Sequence, residues 1–169
     1  VGTEDSAHKQ WIDNSRNFDL FLVNYGGTSG MFRDDADRYF EIPGFKLQIL
    51  AQAIFESRDQ VRQYSAVWLP DDDLDISATQ VMQLFRLFED HALDLAQPAV
   101  ANEYFNHIVT HRQPGCRMRF VNFVEMMCPL FRTEVLLDQL HVLTLNQSGM
   151  GINYLWSQNT LKRRLPGDP

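Results

Sequence analysis

The run Val67-Trp68-Leu69 meets Pro70 and turns at once into Asp71-Asp72-Asp73, with a fourth acid at Asp75. Few short stretches restrict a fold as much. The apolar residues fit a buried strand, and proline ends it because it has no N–H for a ladder. Adjacent carboxylates repel one another and need water or a cation, so they belong outside the sheet. In an open α/β sheet, ligands gather beyond the carboxyl ends of the strands. Acids placed there can hold a divalent cation, and the cation can hold phosphate.

Asp71 and Asp73 are two residues apart. In an extended segment they project to one side, roughly 6–7 Å apart along the chain. A hard cation such as Mg²⁺ or Mn²⁺ takes carboxylate and phosphate oxygens and keeps some water. It offsets the charge of a diphosphate and stabilises it as a leaving group. A solvated acidic turn ahead of the next helix fits the same residues, and the spacing alone leaves both readings open. A calcium loop of EF-hand type is excluded, because its sixth position needs Gly and its twelfth Glu, where this chain has Ile76 and Met82. The strand ending in Asp-x-Asp also resembles haloacid-dehalogenase-type phosphatases. That family expects Thr or Val where Leu74 stands, and a later acidic pair that the sequence lacks.

The 169 residues suffice for one domain with a real core, and a hydrophobic content of 44% suits a globular chain. The formal charge of −7 argues against a nucleic-acid partner, which needs a basic stripe. Cys116 and Cys128 are too few for a disulfide framework, so buried, reduced thiols and a cytoplasmic setting are expected. No apolar run approaches the roughly 18–20 residues of a membrane span, so no transmembrane segment is expected. No signal-peptide pattern is present. Val1-Gly2-Thr3 reads like the last residue of a strand and the loop after it. Residues 157–169 read as a tail, with Lys162 to Pro169 as loop.

Along the chain, Asp5-Ser6-Ala7-His8 and Gln10-Trp11-Ile12 suggest a cap and a short helix. Phe18 to Tyr25 predicts a strand stopped by Gly26-Gly27. Thr28 to Asp37 is polar loop. Gly44 to Val61 has helical spacing at Phe45, Ile49, Ala53 and Phe55. Tyr64 to Leu69 is a second strand. Ser77 caps a helix through His91, with Val81, Leu84, Phe85 and Phe88 on one face. Leu93 to Ala96 is a short strand stopped at Pro98. Asn106 to Thr110 and Met118 to Met127 predict two more, joined at Gln113-Pro114-Gly115. Thr133 caps a helix through Leu143, Asn146 to Gly151 is a flexible loop, and Ile152 to Trp156 starts a last short helix. Alternating strands and helices followed by antiparallel strands predict a single α/β domain over residues 1–156, with a mixed, mainly parallel sheet flanked by helices.

Four segments in order carry a resemblance: Trp68-Leu69-Pro70-Asp71-Asp72-Asp73-Leu74, Leu93-Asp94-Leu95-Ala96-Gln97-Pro98-Ala99, Phe123-Val124-Glu125-Met126-Met127-Cys128-Pro129-Leu130-Phe131, and Gly149-Met150-Gly151-Ile152-Asn153-Tyr154-Leu155-Trp156. They are similar to Trp-Asp-Glu-Asp-Leu, Gln-Pro-Ala, Val-Glu-Met-Met-x-Pro-x-Phe and Trp-Gly-Leu-Asp of a little-characterised family that looks like GT-A glycosyltransferases. The resemblance spans Phe18 to Trp156. It implies a GT-A fold, a nucleotide-sugar donor, a glycan or other hydroxyl acceptor, and Mn²⁺ or Mg²⁺. Asp71 and Asp73 would be the Asp-x-Asp motif on metal, with Asp72 beside them at the diphosphate and ribose. Thr3, Glu4 and Asp5 would lie where such folds hold the nucleoside base. Lys46 matches a family lysine and would meet phosphate, unless it is simply a solvated helix lysine.

Glu125 lies among Phe123, Val124, Met126 and Met127, where a carboxylate must be paired or protonated. It suits an acceptor contact or a general base, against an ion pair at a strand edge. Asn153 is a departure, since the family has Asp there and inverting GT-A enzymes use an acid near this point to take the acceptor proton. An amide has no useful basicity. Either Glu125 is the base, or configuration is retained, or the chain is a weak or inactive sugar-nucleotide or glycan binder. The pattern also expects a later His on the metal, beyond the residues of this sequence.

His107 and His111 are four apart. On the strand that Ile108-Val109-Thr110 favours, their Cα atoms stand roughly 13 Å apart, too far to share zinc, whereas on a helix they could share one ion. His8 and His91 read as surface or capping residues, His141 as a helix C-terminal cation, and the three tryptophans as core.

Overall fold

The protein is described here by a computed structural model covering residues 1–101 and 107–164. Strand β1 (Phe21–Asn24) leads to β2 (Arg38–Glu41), then to helix α1 (Lys46–Glu56) and the short α2 (Arg58–Val61). Strand β3 (Ala66–Trp68), helix α3 (Ala78–Asp90), β4 (Leu95–Ala96) and β5 (Leu130–Arg132) follow. Helices α4 (Thr133–Asp138) and α5 (Ile152–Arg164) close the order. Strands β1 and β2 pair in parallel, and β5 lies between β3 and β4, antiparallel to both.

The mixed α/β class therefore holds, whereas the mainly parallel sheet does not form as one piece. Two small sheets stand in its place, one of them antiparallel. The strand that centres the second sheet is Leu130–Arg132 rather than Met118–Met127. Leu130 and Phe131 are wholly buried, and a strand covered on both faces needs apolar neighbours in sequence. Asn106 lies outside the described residues. Ile108–Thr110 forms a 3₁₀ turn with His107 at its start, so the strand expected there is not seen. The turn at Gln113-Pro114-Gly115 does form, with Cys116 N–H donating to Gln113 O at 3.1 Å.

Helix α1 is the hinge of the core. Its Ile49 and Ala53 pack with Val23 and Ile42 of the parallel pair. Its Leu47, Ala51 and Ile54 face the main cluster, with Phe131, Leu136, Leu143 and Trp156. The helix expected from Gly44 to Val61 breaks at Ser57, whose hydroxyl donates to Ala53 O at 2.6 Å and competes with the helical ladder. Helix α3 starts as its sequence requires, with a capping box between Ser77 and Gln80.

Three further expectations are corrected. Thr133 is the first residue of α4 and makes no cap bond, and the helix gives way after Asp138 to a 3₁₀ turn, Leu140–Thr144. Helix α5 runs to Arg164, so Lys162 to Arg164 are helix and not loop, while residues 165–169 lie outside the described part. His8 is not a surface residue. It is 1% exposed, with Nε2 3.0 Å from Asp35 Oδ2 and Nδ1 2.8 Å from Ser6 Oγ. Buried histidine needs partners on both nitrogens, and the loop from Arg33 to Asp35 supplies one. Among the described residues no helix is long and apolar enough to cross a membrane.

Candidate functional site

The segment from Phe123 to Cys128 shapes the site. It joins no ladder, yet Phe123, Val124 and Cys128 are buried. Buried backbone groups must find partners, and here side chains of α5, α1 and β3, with Gln97 after β4, supply them. Trp156 Nε1 of α5 donates to Val124 O at 3.1 Å, and Val124 N–H donates to Ser157 Oγ at 3.1 Å. Gln97 Oε1 accepts from Glu125 N–H at 2.6 Å. Lys46 Nζ of α1 donates to Met126 O at 2.7 Å and Met127 O at 3.0 Å. Trp68 Nε1 of β3 donates to Cys128 O at 3.0 Å. Side-chain bonds thus replace the strand that apolar content predicted for Met118 to Met127.

Asp71 joins the same knot. Its N–H donates to Met127 O at 2.7 Å, and its Oδ1 lies 2.7 Å from Lys46 Nζ. The three protons of Lys46 therefore meet three acceptors, so this lysine is neither solvated nor free to bind phosphate without an exchange. The carboxyl of Asp71 is held above its ordinary range. Burial is the main cause, opposed by Lys46 and reinforced by Asp73 and Asp72. With 38% of the side chain still exposed, solvent keeps the energetic consequence small. An acid that resists ionisation beside two other acids is a place where added positive charge is favourable.

Asp72 and Asp73 form a turn, so the extended geometry expected for Asp71 to Asp73 is corrected. Asp72 turns toward the first residues of the chain: its Oδ2 accepts from Gly2 N–H at 3.2 Å and its carbonyl from Ala7 N–H at 2.6 Å. These bonds bracket Thr3, Glu4 and Asp5, which lie exposed in the loop above the acidic turn. Asp73 is exposed. Tyr25 closes this side, its hydroxyl pKa raised by burial and by the nearby acids Asp72, Asp71 and Asp73.

Glu125 Oε1 accepts from Met126 N–H and from Asn153 Nδ2, each at 3.1 Å. Among the described residues its Oε2 takes no hydrogen bond. Asn153 is 8% exposed and lies in the first turn of α5. Gly149 brings that helix in: φ is +73°, and a Cβ there would stand 2.8 Å from Met126 Sδ. The amide at 153 has a physical reason in this setting. A carboxylate would face Glu125 at the same distance, and two such acids cannot both ionise cheaply.

Asp71, Lys46, Glu125 and Asn153 are thus gathered around the Met126–Met127 backbone. Thr3, Glu4 and Asp5 hang over Asp72, one turn further. Gln97 was missed as a site residue. Its signal is a polar side chain next to Pro98, after the short apolar strand β4. Among the described residues no group of three or more His, Cys, Asp or Glu is placed to hold a metal ion. A cation at Asp71 and Asp73 would take its remaining oxygens from phosphate and water, which is the usual habit of Mg²⁺. No family model, curated protein sequence or solved structure matches the chain.

Proposed function

We propose that the chain is a metal-dependent glycosyltransferase domain of GT-A type, moving a sugar from a nucleoside-diphosphate donor to an acceptor hydroxyl. The convergence of Asp71, Lys46 and Glu125 on the Met126–Met127 backbone carries this reading, because Lys46 ties a candidate cation ligand to the backbone that follows a candidate base. Asp71 and Asp73 would hold Mn²⁺ or Mg²⁺, whose charge would offset that of the diphosphate leaving group. Asp72 orders the loop from Thr3 to Asp5, against which the nucleoside lies. Glu125 uses Oε2 to take the acceptor proton, while Asn153 and Met126 N–H orient the carboxylate through Oε1.

Titration calorimetry with UDP or GDP, with and without Mn²⁺, tests the donor site. Metal-dependent binding that disappears in Asp71→Ala is expected. Absence of heat with either nucleotide in the intact protein overturns the reading. A second reading is a sugar-nucleotide or glycan binder without turnover. Asn153 favours it, since this side chain donates to Glu125 and cannot itself accept a proton. Donor hydrolysis separates the two: turnover lost in Glu125→Gln with binding retained supports the enzyme, and binding without any turnover supports the binder.

A further inference from the structure

A cavity of about 1110 Å³ lies between β1 and β3, larger than the roughly 300–1,000 Å³ of most small-molecule sites. Its walls are strands and helices, with Ile49 and Ala53 from α1 and Val81 and Phe85 from α3. Among the described residues both strands are edges, since β1 pairs only with β2 and β3 only with β5. They also run the same way. At their starts the rings of Phe21 and Tyr64 are 5.8 Å apart and Tyr64 Oη donates to Asp19. At their ends Tyr25 and Asp72 meet the same two residues, Val1 and Gly2.

The bonds of Val1 and Gly2 have the form of a strand. Val1 N donates to Val23 O at 2.6 Å and Val1 O accepts from Tyr25 N–H at 3.0 Å, which is the parallel ladder around Asn24. The next residue points the other way, as alternation requires, and Gly2 N–H donates to Asp72 Oδ2 at 3.2 Å. The same alternation turns the N–H groups of Phe21 and Val23 into the cavity from one side. Val67 pairs with Phe131 of β5, and Leu69 and Asp71 donate on the same side to Pro129 O and Met127 O, so Ala66 and Trp68 turn their N–H groups in from the other.

We propose that this cavity is a strand site. It takes one extended segment of about five residues, roughly 16 Å long, joined to the Val1 nitrogen and parallel to β1 and β3. The segment is aliphatic, because Ile49 and Ala53 of α1 and Val81 and Phe85 of α3 line the cavity, with the polar Lys46 and Arg86 of the same helices also reaching it. With it in place the strands run β2, β1, segment, β3, β5, β4, one mixed sheet in which β5 alone is reversed. Lys46, Asp71 and Asp72 also line the mouth of the cavity, but the proposal stands apart from the nucleotide reading, since it rests on the backbone edges of β1 and β3.

The test adds five aliphatic β-branched residues directly before Val1 and compares a five-residue Gly/Ser extension. The readouts are the thermal midpoint, amide exchange and fluorescence of an anilinonaphthalene sulfonate dye. The aliphatic extension is expected to raise the midpoint by about 5 °C or more. It should slow exchange at Val23 and Trp68 at least ~10-fold beyond any change at Leu22 and Val67, which already bond within their sheets. Dye bound by the unextended chain should be lost, and the Gly/Ser extension should change none of the three. Unchanged exchange at Val23 and Trp68 overturns the proposal. So does dye binding that survives the aliphatic extension, which would mark the cavity as a site for a small apolar ligand.

Discussion

At the scale of single residues, Asp71 links stability to the proposed metal site. Its pKa is raised by burial above the ordinary 3.8, against the pull of Lys46. A raised carboxyl favours the protonated fold, so its contribution is fully present below the ordinary value and is lost as pH rises through the raised one. Metal-free Asp71→Asn, which mimics the protonated acid, should therefore be more stable than the parent at pH 7. The gap should close as pH falls toward about 4. Thermal midpoints across that range check it, and a parent that stays the more stable at pH 7 refutes it. Added Mn²⁺ and nucleotide should reverse the order by stabilising the parent alone. Asn153→Asp makes the complementary case. It sets a second carboxylate against Glu125 Oε1, which Asn153 Nδ2 now meets at 3.1 Å. The pair then titrates as a unit, and the variant should lose about 1–3 kcal/mol at pH 7. Urea unfolding at pH 7 and pH 5 should show the loss shrinking in acid.

At the scale of elements, legibility in the sequence followed the reach of the forces involved. Strand β1, strand β3 and helix α3 were legible because local signals bound them: Gly26-Gly27, Pro70, and the Ser77 box with Gln80. Strand β2 was not expected, since Arg38–Glu41 alternates weakly and earns its place only by pairing with β1. The segment around Glu125 was apolar enough to look like a strand, but its bonds go to Trp156, Ser157, Gln97 and Lys46, between 28 and 81 residues away. No local pattern carries that information. The acids at the strand exit were legible; the occupation of Lys46 and the amide clamp on Glu125 were not. Gly149 tests how firmly α5 is set against the site. Gly149→Ala pays for φ of +73° and for contact with Met126, whereas Gly30→Ala pays only for φ of +77° in open space. The first should cost about 1–3 kcal/mol and the second nearer 1. Equal losses in denaturant titrations would mean that the approach to Met126 carries no strain.

At the scale of the whole molecule, the two thiols report on how the core opens. Cys128 is 1% exposed beneath the acidic turn, and its pKa is pushed up to about 12 by burial, with Lys46 opposing. A thiol so placed is neutral and out of reach, so it reacts only after the surrounding structure opens. Cys116 is exposed in the turn after Gly115 and reacts in the folded state. A disulfide-exchange reagent such as DTNB should modify one thiol quickly and the other at least ~10³ times more slowly, matching a fold stable by several kcal/mol. The carbonyl of Cys128 is held by Trp68, and its neighbour Met127 by Lys46, so opening there must also release the Asp71 knot. On the proposed function, Mn²⁺ with nucleotide should slow the second thiol further while leaving the first unchanged. Equal slowing of both thiols would trace the effect to the reagent and not to the fold. A second thiol as fast as the first would show that the Met126–Met127 backbone opens without the rest of the core.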